Sequence, residues 1–121
     1  MDSFTDLEAW KVGMELLQEI YALTKRLPKE EQYGMTSQLR RATTSILANL
    51  AEGFSRASPA DKAHKYTISR GECSEVKAYL LICIELRYFQ QQDGQRALEL
   101  VEREGQLFSG LIRAFSPRSE P

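Results

Sequence analysis

The sequence predicts an all-α fold, specifically an antiparallel up-down-up-down four-helix bundle. Two observations lead to this prediction. Apolar residues recur at intervals of three and four along four segments, and only short polar turns separate those segments. No segment reads convincingly as a β-strand. The 121 residues are enough for one domain with a sizeable core and too few to suggest two. We therefore treat residues 1–121 as one domain, with a short disordered tail expected after about residue 116.

The first helix is predicted to begin at a capping box formed by Thr5 and Glu8 and to end at Pro28. It carries two adjoining apolar stripes. The first comprises Leu7, Trp10, Met14, Leu17, Tyr21 and Thr24, and the second comprises Gly13, Leu16, Ile20, Leu23 and Leu27. A bundle helix usually buries a stripe about 100° wide or slightly more. The additional apolar surface therefore indicates either a second neighbour within the bundle or contact with another subunit.

The second helix is predicted from about residue 34 to 54, where Gly53 fits either a C-terminal cap or close packing. Ser58 as N-cap and Pro59 in the first turn predict the start of the third helix, which should continue to about Gln92. Its expected inward face comprises His64, Ile68, Gly71, Glu75, Ala78, Ile82, Glu85 and Phe89, flanked by Leu81, Ile84 and Tyr88.

A break at Asp93 and Gly94 is predicted to separate the third helix from the fourth, which should end at Ser116 and Pro117. The fourth helix repeats the three-four spacing. Its expected inward residues are Ala97, Val101, Gly105, Phe108, Ile112 and Phe115.

The composition argues against several classes of function. His64 is the only histidine, so neither a histidine-rich metal site nor a Ser-His-Asp triad is convincing. The two cysteines, Cys73 and Cys83, lie about 15 Å apart along one predicted helix, too far for a disulfide. We expect no enzymatic activity, no metal and no cofactor. Without a signal peptide or a long apolar run, a cytoplasmic protein with no membrane association is expected.

The formal net charge of −1 conceals an uneven distribution of charge. Residues 1–35 carry four basic and seven acidic side chains, which gives −3. Residues 36–71 carry six basic and two acidic side chains, which gives +4, and residues 72–104 return to −3. A local basic block of this kind is compatible with a surface that binds a polyanion.

Within this block we identify a candidate nucleic-acid-binding group. Its members are Arg40, Arg56, Lys62, Lys65 and Arg70. These side chains could bind phosphates, and the nearby Phe54 and Tyr66 could stack on an unpaired base. A solvated bundle surface would show much the same pattern, so both interpretations remain open.

Arg41 and Glu52 lie about 16 Å apart on one helix and cannot pair with each other. We expect Arg41 to pair with Glu75 of the third helix, because a charge on a core-facing stripe needs a hydrogen-bonded partner. This pair would fix the register of the two helices. The alternative is a polar binding site inside the bundle.

Four stretches of the chain, residues 4–11, 27–34, 36–56 and 71–75, resemble a known family. It comprises bacterial four-helix-bundle proteins related to those encoded in intervening sequences of large-subunit ribosomal RNA genes. More distantly, the chain is similar to the accessory variability proteins of diversity-generating retroelements. Many members of the family have proline where this chain has Leu47, so the kink that such a proline produces is not expected here.

The resemblance implies a ring-like homopentamer. Together with the basic block, it suggests a non-catalytic scaffold that binds RNA or another nucleic acid. The more distant relationship would add a reverse transcriptase as a protein partner. The alternative is a purely protein-binding structural assembly, in which the basic block forms salt bridges between subunits.

Overall fold

The computed structural model describes residues 2–116 and contains four helices. They are α1 (Glu8–Thr24), α2 (Met35–Ser55), α3 (Pro59–Glu85) and α4 (Gln91–Phe115). Short 3-10 turns precede α1 and α2, and no strand occurs among the described residues. The predicted all-α fold with four helices is therefore confirmed. The tail expected after about residue 116 lies outside the described residues.

Each helix packs against the next one in the chain, and α4 also packs against α1. The four helices thereby enclose one hydrophobic core, an arrangement consistent with a four-helix bundle. All four helices contribute to this core, whose fully buried members include Leu16, Ile20, Leu39, Ile46, Leu50, Val76, Leu80 and Phe108.

The start of α1 differs from the prediction. The helix begins at Glu8, and the capping box lies earlier in the chain, between Ser3 and Asp6. The hydroxyl of Ser3 accepts the backbone N–H of Thr5 at 3.1 Å, while the carboxylate of Asp6 accepts the backbone N–H of Ser3 at 3.3 Å. The predicted box of Thr5 and Glu8 is wrong because Thr5 lies inside this preceding 3-10 turn.

The second apolar stripe of α1 faces the core. Gly13, Leu16, Ile20, Leu23 and Leu27 are all buried, whereas most of the first stripe is only partly covered. Phe4, in the turn before α1, covers part of this first stripe, because its ring packs edge-on against Trp10 with 5.0 Å between centroids.

The predicted inward face is wrong for the residues within α3, although Phe89, which lies beyond the end of the helix, is buried as predicted. The buried residues are Ala63, Tyr66, Ser69, Cys73, Val76, Leu80 and Cys83, on the opposite side of the helix. Two faces of α3 carry three-four spacing, and spacing alone does not indicate which one meets the chain's own core. The true inward face is harder to recognise because it includes Ser69, whose hydroxyl donates to the backbone carbonyl of Ile46 at 2.8 Å.

The third helix ends at Glu85, several residues before the predicted end near Gln92. Arg87 adopts a left-handed conformation with φ of 62°, which ends the helix. The carboxylate of Asp93 then accepts the backbone N–H of Gln90 at 3.1 Å and caps α4. The predicted break at Asp93 and Gly94 is therefore wrong, since both residues lie in the first turn of α4.

Gly94 and Gly53 allow close packing. A Cβ on Gly94 would lie 3.0 Å from a ring carbon of the buried Phe89, and one on Gly53 would lie 2.7 Å from the ring of Tyr66. Of the two roles considered for Gly53, the structure therefore favours close packing. At Leu47 α2 continues as a single helix, as expected where no proline interrupts it.

Candidate nucleic-acid interface

The five candidate basic residues lie at three separate places. Arg40 faces α1, where its Nε donates to the hydroxyl of Thr24 at 2.9 Å. Its guanidinium also lies 4.3 Å from the centroid of the Tyr21 ring. Such a cation–π contact holds the side chain flat against the surface of the bundle.

Lys62, Lys65 and Arg56 lie where α2 turns into α3. The ammonium of Lys62 donates to the backbone carbonyl of Phe54 at 2.7 Å, and therefore satisfies the exposed end of α2. Lys65 pairs with Glu52 at 3.5 Å. Arg56 is exposed and has no hydrogen bond or ion pair from its side chain within residues 2–116. Of the three cations at this corner, Arg56 is therefore the most available to bind a ligand.

Arg70 points into a groove between α3 and α4, where its Nη1 lies 3.4 Å from the hydroxyl of Ser109. We call this the α3–α4 groove, and its volume is about 460 Å³. Its charged and hydroxyl-bearing residues are Arg70, Ser74, Lys77, Glu102, Ser109 and Arg113. The sequence interpretation did not include Lys77 or Arg113. Lys77 could have been found from its spacing, two helical turns after Arg70, whereas Arg113 belongs to a different helix.

The structure places Arg41 in contact with Glu75. The same guanidinium donates to Glu72 at 3.1 Å, and Tyr79 donates its hydroxyl to Glu75 at 2.8 Å. The hydrogen bond from Tyr79, together with Arg41, lowers the pKa of Glu75 despite partial burial. The Arg41 side chain is 50% exposed, so this network links α2 to α3 at the surface and not in the core.

Sequence reasoning missed the most unusual charged residue, Glu104 of α4. It is 0% exposed, and neither carboxylate oxygen has a hydrogen-bond partner among the described residues. Burial raises the pKa of this carboxyl to about 8, with a smaller opposing effect from Arg103. At neutral pH the protonated form therefore predominates. The spacing from Val101 through 104 to Phe108 could have revealed this inward position, which the prediction gave to Gly105.

The two cysteines are free, as their predicted separation required, and both are buried. Burial raises the pKa of the Cys83 thiol to about 11 and raises the pKa of Cys73 further, so both stay protonated at neutral pH.

Within residues 2–116, no helix is both long and apolar enough to cross a membrane.

No curated protein matches the chain. Its fold is similar to that of a protein of unknown function from the S23 ribosomal protein family of Bacteroides thetaiotaomicron VPI-5482, known from a crystal structure. The TM-score is 0.80 at 24% sequence identity, covering 87% of this chain and 98% of the other. The resemblance to retroelement accessory proteins finds no support in these comparisons. The family model described as "23S rRNA-intervening sequence protein" matches residues 5–110, and the chain therefore belongs to that family.

Proposed function

We propose that this protein is a non-catalytic scaffold that assembles from several copies of one chain and binds RNA or another nucleic acid. Each subunit would be an up-down-up-down bundle, and the assembly a ring of five. The exposed apolar residues on the outward face of α3 are the observation on which the proposed assembly rests. The distribution of basic side chains supports binding to a polyanion.

The face of α3 that was predicted to be inward instead points away from the core. We call it the α3 outer stripe and define it by Ile68, Gly71, Glu75, Ala78 and Ile82, with Leu81 and Leu86 beside it. Its large apolar side chains are substantially exposed, with 36% for Ile68, 49% for Leu81, 40% for Ile82 and 52% for Leu86. Intervals of three and four are the spacing with which one helix packs against another.

Small residues strengthen this argument. Gly71 and Ala78 lie in the middle of the stripe, and a Cβ on Gly71 would meet no atom within 4 Å. A helix from a second copy could therefore approach α3 closely. We infer that the sequence maintains two packing faces on α3, one for the subunit core and one for the neighbouring subunit.

Two features support nucleic-acid binding. The segment from residue 36 to 71 has a net charge of +4, and Arg56 and Arg70 are both exposed within it. The name of the family links its members to ribosomal RNA genes. Repetition around a ring would present the same side chains several times, which turns weak individual contacts into useful avidity.

A second candidate function is a purely structural assembly. It is favoured by the intramolecular contacts of the basic block, because Lys65 pairs with Glu52, Arg41 with Glu72, and Lys62 with the end of α2. In this case the remaining cations would pair with acidic residues of neighbouring subunits. Nothing in the comparisons supports a reverse transcriptase as the partner.

Light scattering during titration with structured and single-stranded RNA, at low and moderate salt, separates these functions. We expect a multimer that binds RNA more weakly as salt rises. Ile82→Asp should reduce the mass to that of a single chain of 13.8 kDa, whereas Tyr33→Asp, which changes an exposed aromatic residue outside the stripe, should not. A multimer that ignores RNA at low salt would favour the structural assembly, and a wild-type monomer would refute both.

A further inference from the structure

In the α3–α4 groove, basic side chains outnumber acidic ones. Arg70 and Lys77 enter it from α3, and Arg113 enters from α4, opposed by a single carboxylate from Glu102. The groove therefore has a formal charge of +2, although the whole chain has a net charge of −1. A concentration of positive charge in a concave site attracts anions more strongly than the same charges spread over a convex surface.

The two arginines are the available cations of the groove. Lys77 pairs with Glu102 at 3.2 Å, which neutralises both side chains. Arg70 makes only the 3.4 Å contact with the Ser109 hydroxyl, and Arg113 has no hydrogen bond or ion pair to any residue from 2 to 116. Both arginines are exposed. A guanidinium can donate two parallel hydrogen bonds to the oxygens of one phosphate.

The remaining lining suits a phosphate chain. Ser74 and Ser109 supply hydroxyl donors, one from each helix. Gly105 leaves its part of the groove open, since a Cβ there would meet no atom within 4 Å. None of the described residues that line the groove is aromatic, so no ring is available for stacking on a base. These features fit binding to the backbone of a nucleic acid better than recognition of its bases.

We propose that the α3–α4 groove binds the phosphodiester backbone of RNA, with Arg70 and Arg113 as the principal phosphate ligands. This inference rests on the proposed nucleic-acid function and identifies the site that performs it. It separates the groove from the corner at Arg56 and Lys65, which sequence reasoning had placed in the same group. Because phosphates carry no base identity, binding should depend little on RNA sequence.

The test compares three double variants of the full chain in binding to single-stranded RNA of fixed length and mixed sequence. The groove variant is Arg70→Gln with Arg113→Gln. The control is Lys11→Gln with Arg87→Gln, which removes the same charge from exposed positions elsewhere. The corner variant is Arg56→Gln with Lys65→Gln.

We expect only the groove variant to weaken binding markedly, by fivefold or more in moderate salt. The slope of log affinity against log salt should become shallower by about 1.4, because each phosphate contact to a single strand contributes about 0.7. Gly105→Glu provides an independent check, since it places a carboxylate in the groove at a position with open space. It should weaken binding similarly, with circular dichroism confirming that the helices are retained.

The outcomes distinguish failure of the groove inference from failure of the proposed nucleic-acid function. If the groove variant and Gly105→Glu retain wild-type affinity and salt slope while the corner variant loses binding, the groove inference is overturned and the nucleic-acid function stands. If the wild-type multimer binds no RNA even at low salt, the proposed function fails, and the groove inference fails with it.

Discussion

The carboxylate of Glu104 on α4 packs directly against Gly13 on α1. A Cβ built on Gly13 would lie 2.5 Å from Oε2 of Glu104 and 2.7 Å from a methyl carbon of Leu47. Both distances are too short for a real side chain. The absence of a side chain at position 13 therefore creates the space that the Glu104 carboxyl and Leu47 occupy between α1, α2 and α4.

Gly13→Ala should destabilise the protein. Alanine normally improves a helix interior by about 0.5–1 kcal/mol relative to glycine, but here its methyl group would displace two buried neighbours. Overpacking of this kind typically costs about 1–3 kcal/mol. Urea denaturation should show the loss in the free energy of unfolding. The control is Gly105→Ala, where the space is open and the free energy should rise; equal stabilisation by both substitutions would contradict the close contact.

The stability of the fold should decrease as pH rises from about 4.5 to about 8. The folded state holds Glu104 at a pKa of about 8, above the ordinary value of 4.5, so folding is favoured while this carboxyl is protonated. Its contribution is complete below the unfolded pKa and is lost as the pH passes through the folded pKa. The slope contributed by this one group should reach about 1.4 kcal/mol per pH unit.

Glu104→Gln isolates this effect, because glutamine retains the shape of the side chain but does not titrate. Urea denaturation over this pH range should show a profile for the variant that lacks the decline due to Glu104. The exposed Glu30→Gln serves as the control and should follow the wild type. A wild-type profile that matches that of Glu104→Gln would show that Glu104 is charged in the folded protein.

The contact between Arg41 and Glu75 should contribute little to stability. Half of the arginine side chain is exposed to solvent, which screens the interaction. A double-mutant cycle with Arg41→Met and Glu75→Gln, followed by thermal or urea unfolding, should give a coupling free energy below about 1 kcal/mol. A coupling several times larger would place the pair in a far less solvated environment than the structure does.

Lys62→Gln should cost about 0.3–1 kcal/mol of stability, because the lysine ammonium satisfies carbonyls at the C-terminal end of α2. The loss should be measurable by chemical denaturation at low salt and should diminish as salt is added. Lys65→Gln, which removes only a partly exposed ion pair with Glu52, should have a smaller effect. If the two substitutions have equal effects on stability, the helix-end role of Lys62 would be contradicted.

The number and type of the helices were predictable because three-four spacing is a strong local signal. The choice of face on α3 was not, since Ile68 and Ile82 have the same periodicity as the true core residues Val76 and Leu80. The α3–α4 turn was also missed. Asp93 and Gly94 resemble a turn in sequence, but Asp93 caps a helix and Gly94 packs against Phe89.

The candidate site was only partly accessible from sequence, because grouping cations requires knowledge of which helices are neighbours. Arg70 and Arg113 are far apart in the chain, yet they line the same groove. Arg40 and Lys62 belong to one basic block, but each is held by contacts that only the fold creates. The burial of Glu104 was missed because glutamate is rarely fully buried without a partner.

The packing of α1 against α4 has a consequence for synthesis of the chain on the ribosome. Residues of α4 that contact α1 are translated after the other three helices. Arg96 pairs with Glu15, Arg103 pairs with Glu8, and Glu104 fills the space beside Gly13. Until α4 has left the exit tunnel, one side of α1 remains open to chaperones and to other nascent chains. Completion of the core must therefore wait until α4 has emerged, which makes the interval between the emergence of α1 and that of α4 the vulnerable period for this protein.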